Sequence, residues 1–277
     1  MILSVVVPDY KDSLLHKTID SLLDNSELGD NLEVIAVLDG CWTETPFRED
    51  ERIKVVHLGK NRGMRGAINA GVSVAKGDFI MRTDEHCMFA KGYDRILVED
   101  CQPNWIVTPR RYFLDVVKWE VMDIPYIDYA KLKIVKTGMH KDFEDETKEV
   151  MGEKFSGVEW DRPDRKDILI DETFAMQGSC WFMPHKWWDT VIGELQTEGY
   201  GPLYQDSHEM VFKTWEAGGK LMVNKKTWYA HKHRSFPRTH NNGTKENPSN
   251  NEQCFAYSLK VWRNYYEKEI KPVQDLL

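Results

Sequence analysis

The 277-residue sequence has little cysteine and spends none of it in close pairs. Cys41, Cys87, Cys101, Cys180 and Cys254 are odd in number and scattered, with no C-x-x-C among them. That excludes a zinc ribbon and fits reduced thiols in a cytoplasmic compartment. No run approaches the about 20 apolar residues that a membrane helix needs. The opening MILSVVVPDY lacks a basic flank and a small-residue cleavage site, so it reads as a buried strand and not as a signal peptide. An excess of positive charge is missing too. Against 45 Asp and Glu stand 37 Lys and Arg, a net charge of −8, which argues against a protein that coats nucleic acid over its whole surface and leaves room for a local basic face. There is no Walker loop, internal repeat or low-complexity tract.

What is present is a core. The 41% hydrophobic share is too high for a disordered chain, and the length allows one large α/β domain or two closely packed ones. Residues 2–7 are β-branched and continuous in the manner of a strand buried on both faces, and 32–38, 53–58 and 79–82 read as further strands. Pro8 and Asp9 are expected to break the first. Between the runs, Leu14, Leu15, Ile19, Leu22 and Leu23 fall at helical spacing, as do Met64, Ala67, Ile68, Gly71, Val72 and Ala75, with Gly77 expected as the residue that closes the second helix. Strands alternating with crossover helices predict a mainly parallel, Rossmann-like α/β sheet with its ligand beyond the carboxyl ends of the strands. Residues 110–165 show no clean period and read as a loop-rich insertion. Further helices are expected from about 185, over 207–217 and through Phe255, Leu259, Trp262 and Tyr266. A strand is expected at 220–223 and an exposed loop at 235–253.

The chemistry-bearing residues cluster at the ends of these runs. Asp84 and His86 lie two apart just after an apolar strand, so in extended backbone they project to one side. A mixed oxygen and nitrogen pair suits Mn²⁺ or another divalent ion that would bridge the phosphates of a nucleotide diphosphate. A polar turn that caps a helix is the plainer alternative. Asp39 ends the second strand, where a carboxylate accepts bonds from a base or ribose. Lys60, Arg62 and Arg65 surround Gly63 and Gly66 at a helix start, a pattern that makes an anion site. Asp206 and Glu209 share one face at the mouth of a helix, as general base, sugar ligand or ordinary helix caps. Cys87 reads as a bystander, Trp187 and Trp188 as core or rim, and His208 as a solvated helix position.

Taken in order, Val5-Val6-Val7-Pro8-x-Tyr10, Val37-x-Asp39-Gly40, Asn61-x-Gly63-x-x-x-Ala67-x-Asn69-x-Gly71, Ala75-x-Gly77-Asp78 and Asp84-x-His86 resemble the GT-A glycosyltransferases of the family-2 type. The second half is similar to one branch, the polypeptide N-acetylgalactosaminyltransferases. That branch carries D-x-H where most of the superfamily has D-x-D, a segment like 204–215 followed by Gly218-Gly219, and a late H-x-x-R matched by His231-Lys232-His233-Arg234.

The resemblance spans about residues 1–234 and implies a UDP-sugar donor and Mn²⁺ or Mg²⁺ held by Asp84, His86 and His231. It also implies donor contacts from Pro8, Tyr10, Asp39, Asn61, Arg62, Gly63, Arg65, Asp84, Gln177 and Gly178, and catalytic roles for Asp206, Glu209 and Arg234. Retention of anomeric configuration is implied as well. Residues 1–109 would form the nucleotide-sugar half, 110–234 the acceptor and catalytic half of the same domain, and 235–277 a loop and C-terminal helix. The lectin domain, stalk and membrane anchor of the branch have no counterpart in the sequence, and Asp206 stands where the branch has glutamate.

Residues 220–245 contain Lys220, Lys225, Lys226, Lys232, Arg234, Arg238 and Lys245 and no acidic residue, with Trp228, Tyr229 and Phe236 interleaved. Basic residues among aromatics suit a nucleic-acid strand or an extruded base. The acceptor expected on this ground is a hydroxymethylated base in DNA, modified in the host cytoplasm if a phage encodes the protein. A polysaccharide, glycan or protein acceptor is the rival, and a nucleic-acid-binding module without catalysis is a third reading.

Overall fold

A computed structural model describes residues 1–141, 147–232 and 251–277. Twelve strands occur in these residues: β1 (Leu3–Asp9), β2 (Leu32–Asp39), β3 (Ile53–Leu58), β4 (Phe79–Thr83), β5 (Cys87–Phe89), β6 (Trp105–Asp115), β7 (Glu120–Val121), β8 (Ala130–Lys141), β9 (Glu149–Glu159), β10 (Ile170–Glu172), β11 (Cys180–Pro184) and β12 (Lys220–His231). The α-helices are α1 (Leu15–Asp24), α2 (Gly63–Ser73), α3 (Tyr93–Asp100), the single turn α4 (His185–Trp187), α5 (Asp206–Glu216), α6 (Asn251–Tyr265) and α7 (Lys271–Leu276).

Ten strands form one sheet in the order β10-β12-β6-β11-β4-β1-β2-β3, with β5 on β12 and β7 on β6. The block β4-β1-β2-β3 is parallel throughout. Antiparallel β11 joins that block to the parallel pair β6 and β12. Alternation along β1 splits the core. Val5 and Val7 pack with Leu15, Ile19 and Leu22 of α1 and Leu97 of α3, while Val6 packs with Ala67, Ile68 and Val72 of α2. The α2 backbone approaches so closely that a Cβ on Gly71 would lie 2.3 Å from Val6 Cγ1.

Several sequence expectations need correction. Pro8 and Asp9 do not break β1, because they still pair with Val37 and Leu38 of β2. Gly77 does not close α2, which ends at Ser73. It is small because a Cβ there would meet the Ser4 backbone nitrogen at 2.7 Å. The segment 110–165 is not loop-rich: it holds the rest of β6 and a long antiparallel ribbon, β8 on β9. Phe155 and Leu132 on this ribbon are fully buried. The strand expected at 220–223 runs on to His231 with an irregularity between Asn224 and Trp228. The loop expected at 235–253 lies outside the described residues except for its last three, which begin α6.

Candidate active site

Beyond the carboxyl ends of β1, β2 and β4 lies a cleft of about 520 Å³. Pro8, Asp9 and Tyr10 of the β1–α1 turn, Asp39, Asn61 and Gly63 form one wall. Gln177, Gly178, Asp206 and His208 form another, and the β9 ribbon contributes Lys154, Phe155 and Ser156.

Asp39 builds the first wall as much as it lines it. Its carboxylate accepts the backbone N–H of Arg62 at 2.6 Å, that of Gly63 at 2.8 Å and the Asn61 amide at 3.0 Å. It therefore satisfies donors at the start of α2 that the helix cannot satisfy itself. Gly63 has φ +76°, and a Cβ there would meet Pro202 at 2.5 Å. Burial raises the Asp39 pKa, opposed by the bonds from Arg62 and Gly63.

On the floor of the cleft, β sheet register assembles a three-residue cluster. The turn carrying Asp84, Glu85 and His86 links β4 to β5, and β5 pairs with β12 so that Cys87 lies opposite His231. His231 Nε2 is thereby 3.0 Å from Asp84 Oδ2 and 3.2 Å from His86 Nε2. One ligand atom from each residue lies within 4.8 Å of the others. One carboxylate oxygen and two imidazole nitrogens meeting at a point fit a borderline divalent ion such as Mn²⁺.

The electrostatics suit that use. Burial alone would raise Asp84, but the Arg82 guanidinium, then His231 and His86, hold its carboxyl well below the usual range. Burial pushes His231 down to about 4, so its imidazole is neutral at pH 7, the form that ligates metals. Burial also works against His86, yet its bond to Asp12 and the nearby Glu85 and Asp84 charges raise its pKa. Glu85 is pushed up to about 7 by burial, with the Asp84 and Asp12 charges adding to the rise.

The structure therefore brings Pro8, Tyr10, Asp39, Asn61, Gly63, Asp84, Gln177, Gly178, Asp206 and His231 to one cleft, with His86 beneath it. It does not bring Arg62, Arg65 or Glu209 there. The exposed Arg62 side chain faces a separate surface hollow with Lys60 and Asn69. Arg65 and Glu209 are fully buried and pair with each other. Arg65 also donates to the Tyr204 and Gln196 carbonyls, and Glu209 accepts from Lys213. Neither charge is left for a ligand. His208 is not a solvated helix position either: it lines the cleft, and burial pushes it down to about 4. Arg234 lies outside the described residues.

Four residues near the cluster carry no role in the sequence reading. Arg82, buried in β4, donates to Asp84 and to the Gly178 carbonyl. Its signal was available, since a lone guanidinium in an apolar strand demands a partner. Arg111 reaches toward His231 Nδ1, Asp12 meets His86, and Lys154 enters from the ribbon. Nothing local distinguishes these three from surface charges.

The basic stretch also changes character. Lys220 pairs with Glu172 and Lys226 with Asp100. Lys225 is buried, donates to the Arg165 carbonyl at 2.8 Å and sits over the Tyr129 ring. Arg238, Lys245 and Phe236 lie outside the described residues.

A mixed sheet with a parallel block, at whose strand ends the D-x-H turn lies, matches a GT-A glycosyltransferase fold. Residues 4–150 match the model of glycosyl transferase family 2, and the chain belongs to that family. Among solved structures it is similar to GalNAc-T7 with UDP, GalNAc and Mn²⁺, at 18% identity and a TM-score of 0.68 over 96% of this chain and 50% of that one. It is also similar to TarS of S. aureus in complex with UDP-GlcNAc, at 13% identity and a TM-score of 0.55 over 88% of this chain and 62% of that one. The chain thus spans half to about three fifths of the length of these neighbours. No curated protein matches its sequence.

Proposed function

We propose that the chain is a metal-dependent glycosyltransferase that moves a sugar from a UDP-sugar to an acceptor hydroxyl. The observation that carries this reading is the meeting of Asp84, His86 and His231 in the floor of a cleft at the carboxyl edge of the parallel strands. Mn²⁺ held there would offset the charge that develops on the departing diphosphate. The β1–α1 turn and the loop braced by Asp39 would hold the nucleotide, and Gln177 and Gly178 would face the sugar. Asp206 begins α5 at the cleft, and no ion pair engages its carboxylate among the described residues. It is therefore assigned to bind a sugar hydroxyl or to take the acceptor proton. Retention of configuration is the expected outcome, from the resemblance to the polypeptide N-acetylgalactosaminyltransferases.

The acceptor reading shifts. With Lys225 buried, and Lys220 and Lys226 paired at the surface with Glu172 and Asp100, the case for a DNA base weakens within the described residues, and a glycan, polysaccharide or protein hydroxyl gains. Among the described residues no helix is long and apolar enough to cross a membrane. The test is a screen of nucleotide sugars for Mn²⁺-dependent donor hydrolysis, followed by acceptor trials that include hydroxymethylated and plain duplex DNA. Absence of hydrolysis or transfer with every UDP-sugar would overturn the proposal.

A further inference from the structure

We infer that Asp12, in the turn after β1, is a positioning residue for the metal cluster, holding His86 in the one tautomer that can ligate. The inference rests on the metal reading above. Asp12 Oδ2 lies 3.1 Å from His86 Nδ1. A carboxylate only accepts, so the ring hydrogen sits on Nδ1 and the Nε2 lone pair is left facing Asp84 and His231. Glu85 comes no closer to the same nitrogen than 3.8 Å, outside hydrogen-bond reach, so the bond belongs to Asp12.

The turn is built to present this carboxylate. Asp12 Oδ1 accepts the Leu14 N–H at 2.8 Å, which fixes the second oxygen while the first meets His86. Asp9 accepts the backbone N–H groups of Lys11 and Asp12, and Lys11 is held at φ +62°, a conformation seldom used outside glycine. The bonded pair is sheltered, with side-chain exposures of 15% for Asp12 and 3% for His86. Pro8, Asp9 and Tyr10 of the same turn line the cleft. One turn therefore shapes the nucleotide wall and sets the orientation of a metal ligand, so the two are ordered together.

The test separates this role from helix capping. Asparagine and serine both accept from a backbone N–H at this position, but neither then offers His86 Nδ1 an acceptor as the second Asp12 oxygen does, since an asparagine oxygen turned to the Leu14 N–H leaves its NH₂ toward the ring. Mn²⁺ titrations of the metal-free protein at pH 8, by calorimetry or by paramagnetic resonance, would compare wild type, Asp12→Asn and Asp12→Ser. Asp12→Ser and Asp12→Asn should each bind about 10–100-fold more weakly while keeping the bond to the Leu14 N–H. ¹⁵N spectra of the metal-free wild type at a pH where the His86 ring is neutral, with His86 assigned from the signal lost in His86→Gln, should show its single hydrogen on Nδ1. This reading needs no Asp12 variant to fold. Equal Mn²⁺ affinity in wild type and Asp12→Ser, or a hydrogen on Nε2, would overturn the inference alone. A wild type that binds no Mn²⁺ would overturn the metal reading and the inference together.

Discussion

Arg65 and Glu209 stand 144 positions apart in the chain and face each other in the interior, 0% and 1% exposed. The pair ties the first turn of α2 to α5, and the Arg65 guanidinium also stacks on the Tyr200 ring at 4.1 Å. Removing one partner strands a buried charge, which costs about 3–5 kcal/mol. Glu209→Ala and Arg65→Ala should each lower unfolding free energy by that order in urea titrations. Asp206→Asn, one helical turn away, should leave the urea midpoint in place and lower transfer by about 10²-fold or more. A stable Glu209→Ala protein with lost transfer would point instead to a catalytic role for Glu209.

Asp84→Ala, His86→Ala and His231→Ala should each abolish measurable Mn²⁺ binding in titrations and, with it, donor hydrolysis. EDTA should silence the wild-type protein, and Mn²⁺ should restore it. Full turnover in EDTA would remove the ion from the account.

Asp39→Ala should do two things at once. Its carboxylate satisfies the backbone N–H groups of Arg62 and Gly63, so the variant leaves two donors at the start of α2 without partners. A loss of about 1–3 kcal/mol in stability is expected, together with weaker UDP binding by calorimetry. Unchanged UDP affinity in the folded variant would mean that the residue only braces the loop.

Glu33 supplies a pH dependence away from the cleft. It is buried, and although burial would raise its pKa, its bonds from Lys54, Ser4 and the Lys76 backbone lower it from 4.5. A carboxyl depressed on folding stabilises fully above its unfolded value and loses that contribution as pH falls through the folded one. Glu33→Gln should therefore lower stability at pH 7 and flatten its decline below pH 4.5. Parallel melting curves of variant and wild type between pH 3 and 7 would contradict this.

How much could be read in advance varied with how local the signal was. Strands β1 and β2 are buried on both faces and leave nearly continuous apolar runs in the sequence, while edge strand β3 and β4 show shorter ones. Asp84 and His86 are two residues apart, and their chemistry is visible at that distance. The Arg65–Glu209 pairing leaves no mark in the sequence, because a charge at a helix start looks the same whether it meets water, phosphate or a distant partner. The β8–β9 ribbon did carry a signal: Lys131-Leu132-Lys133-Ile134 alternates polar and apolar with period two, and Leu132 is buried. Dense charge over the rest of 110–165 obscured it. Lys225 and Lys226 show the converse case, a run of cations that the strand spends on internal partners.

The pairing of β5 with β12 makes the cluster a late event in the life of the chain. His86 and His231 are 145 positions apart, and the Asp84, His86 and His231 set is incomplete until β12 has docked. Closing so long a loop is slow relative to forming the local turn from β1 into α1. An ion taken up there binds the finished fold and not its precursors, and at a hundred times its dissociation constant it adds about 2.7 kcal/mol to the folded state. Melting temperature should then climb with Mn²⁺ concentration, and the centre would serve as a clasp that reports when the last strand has closed.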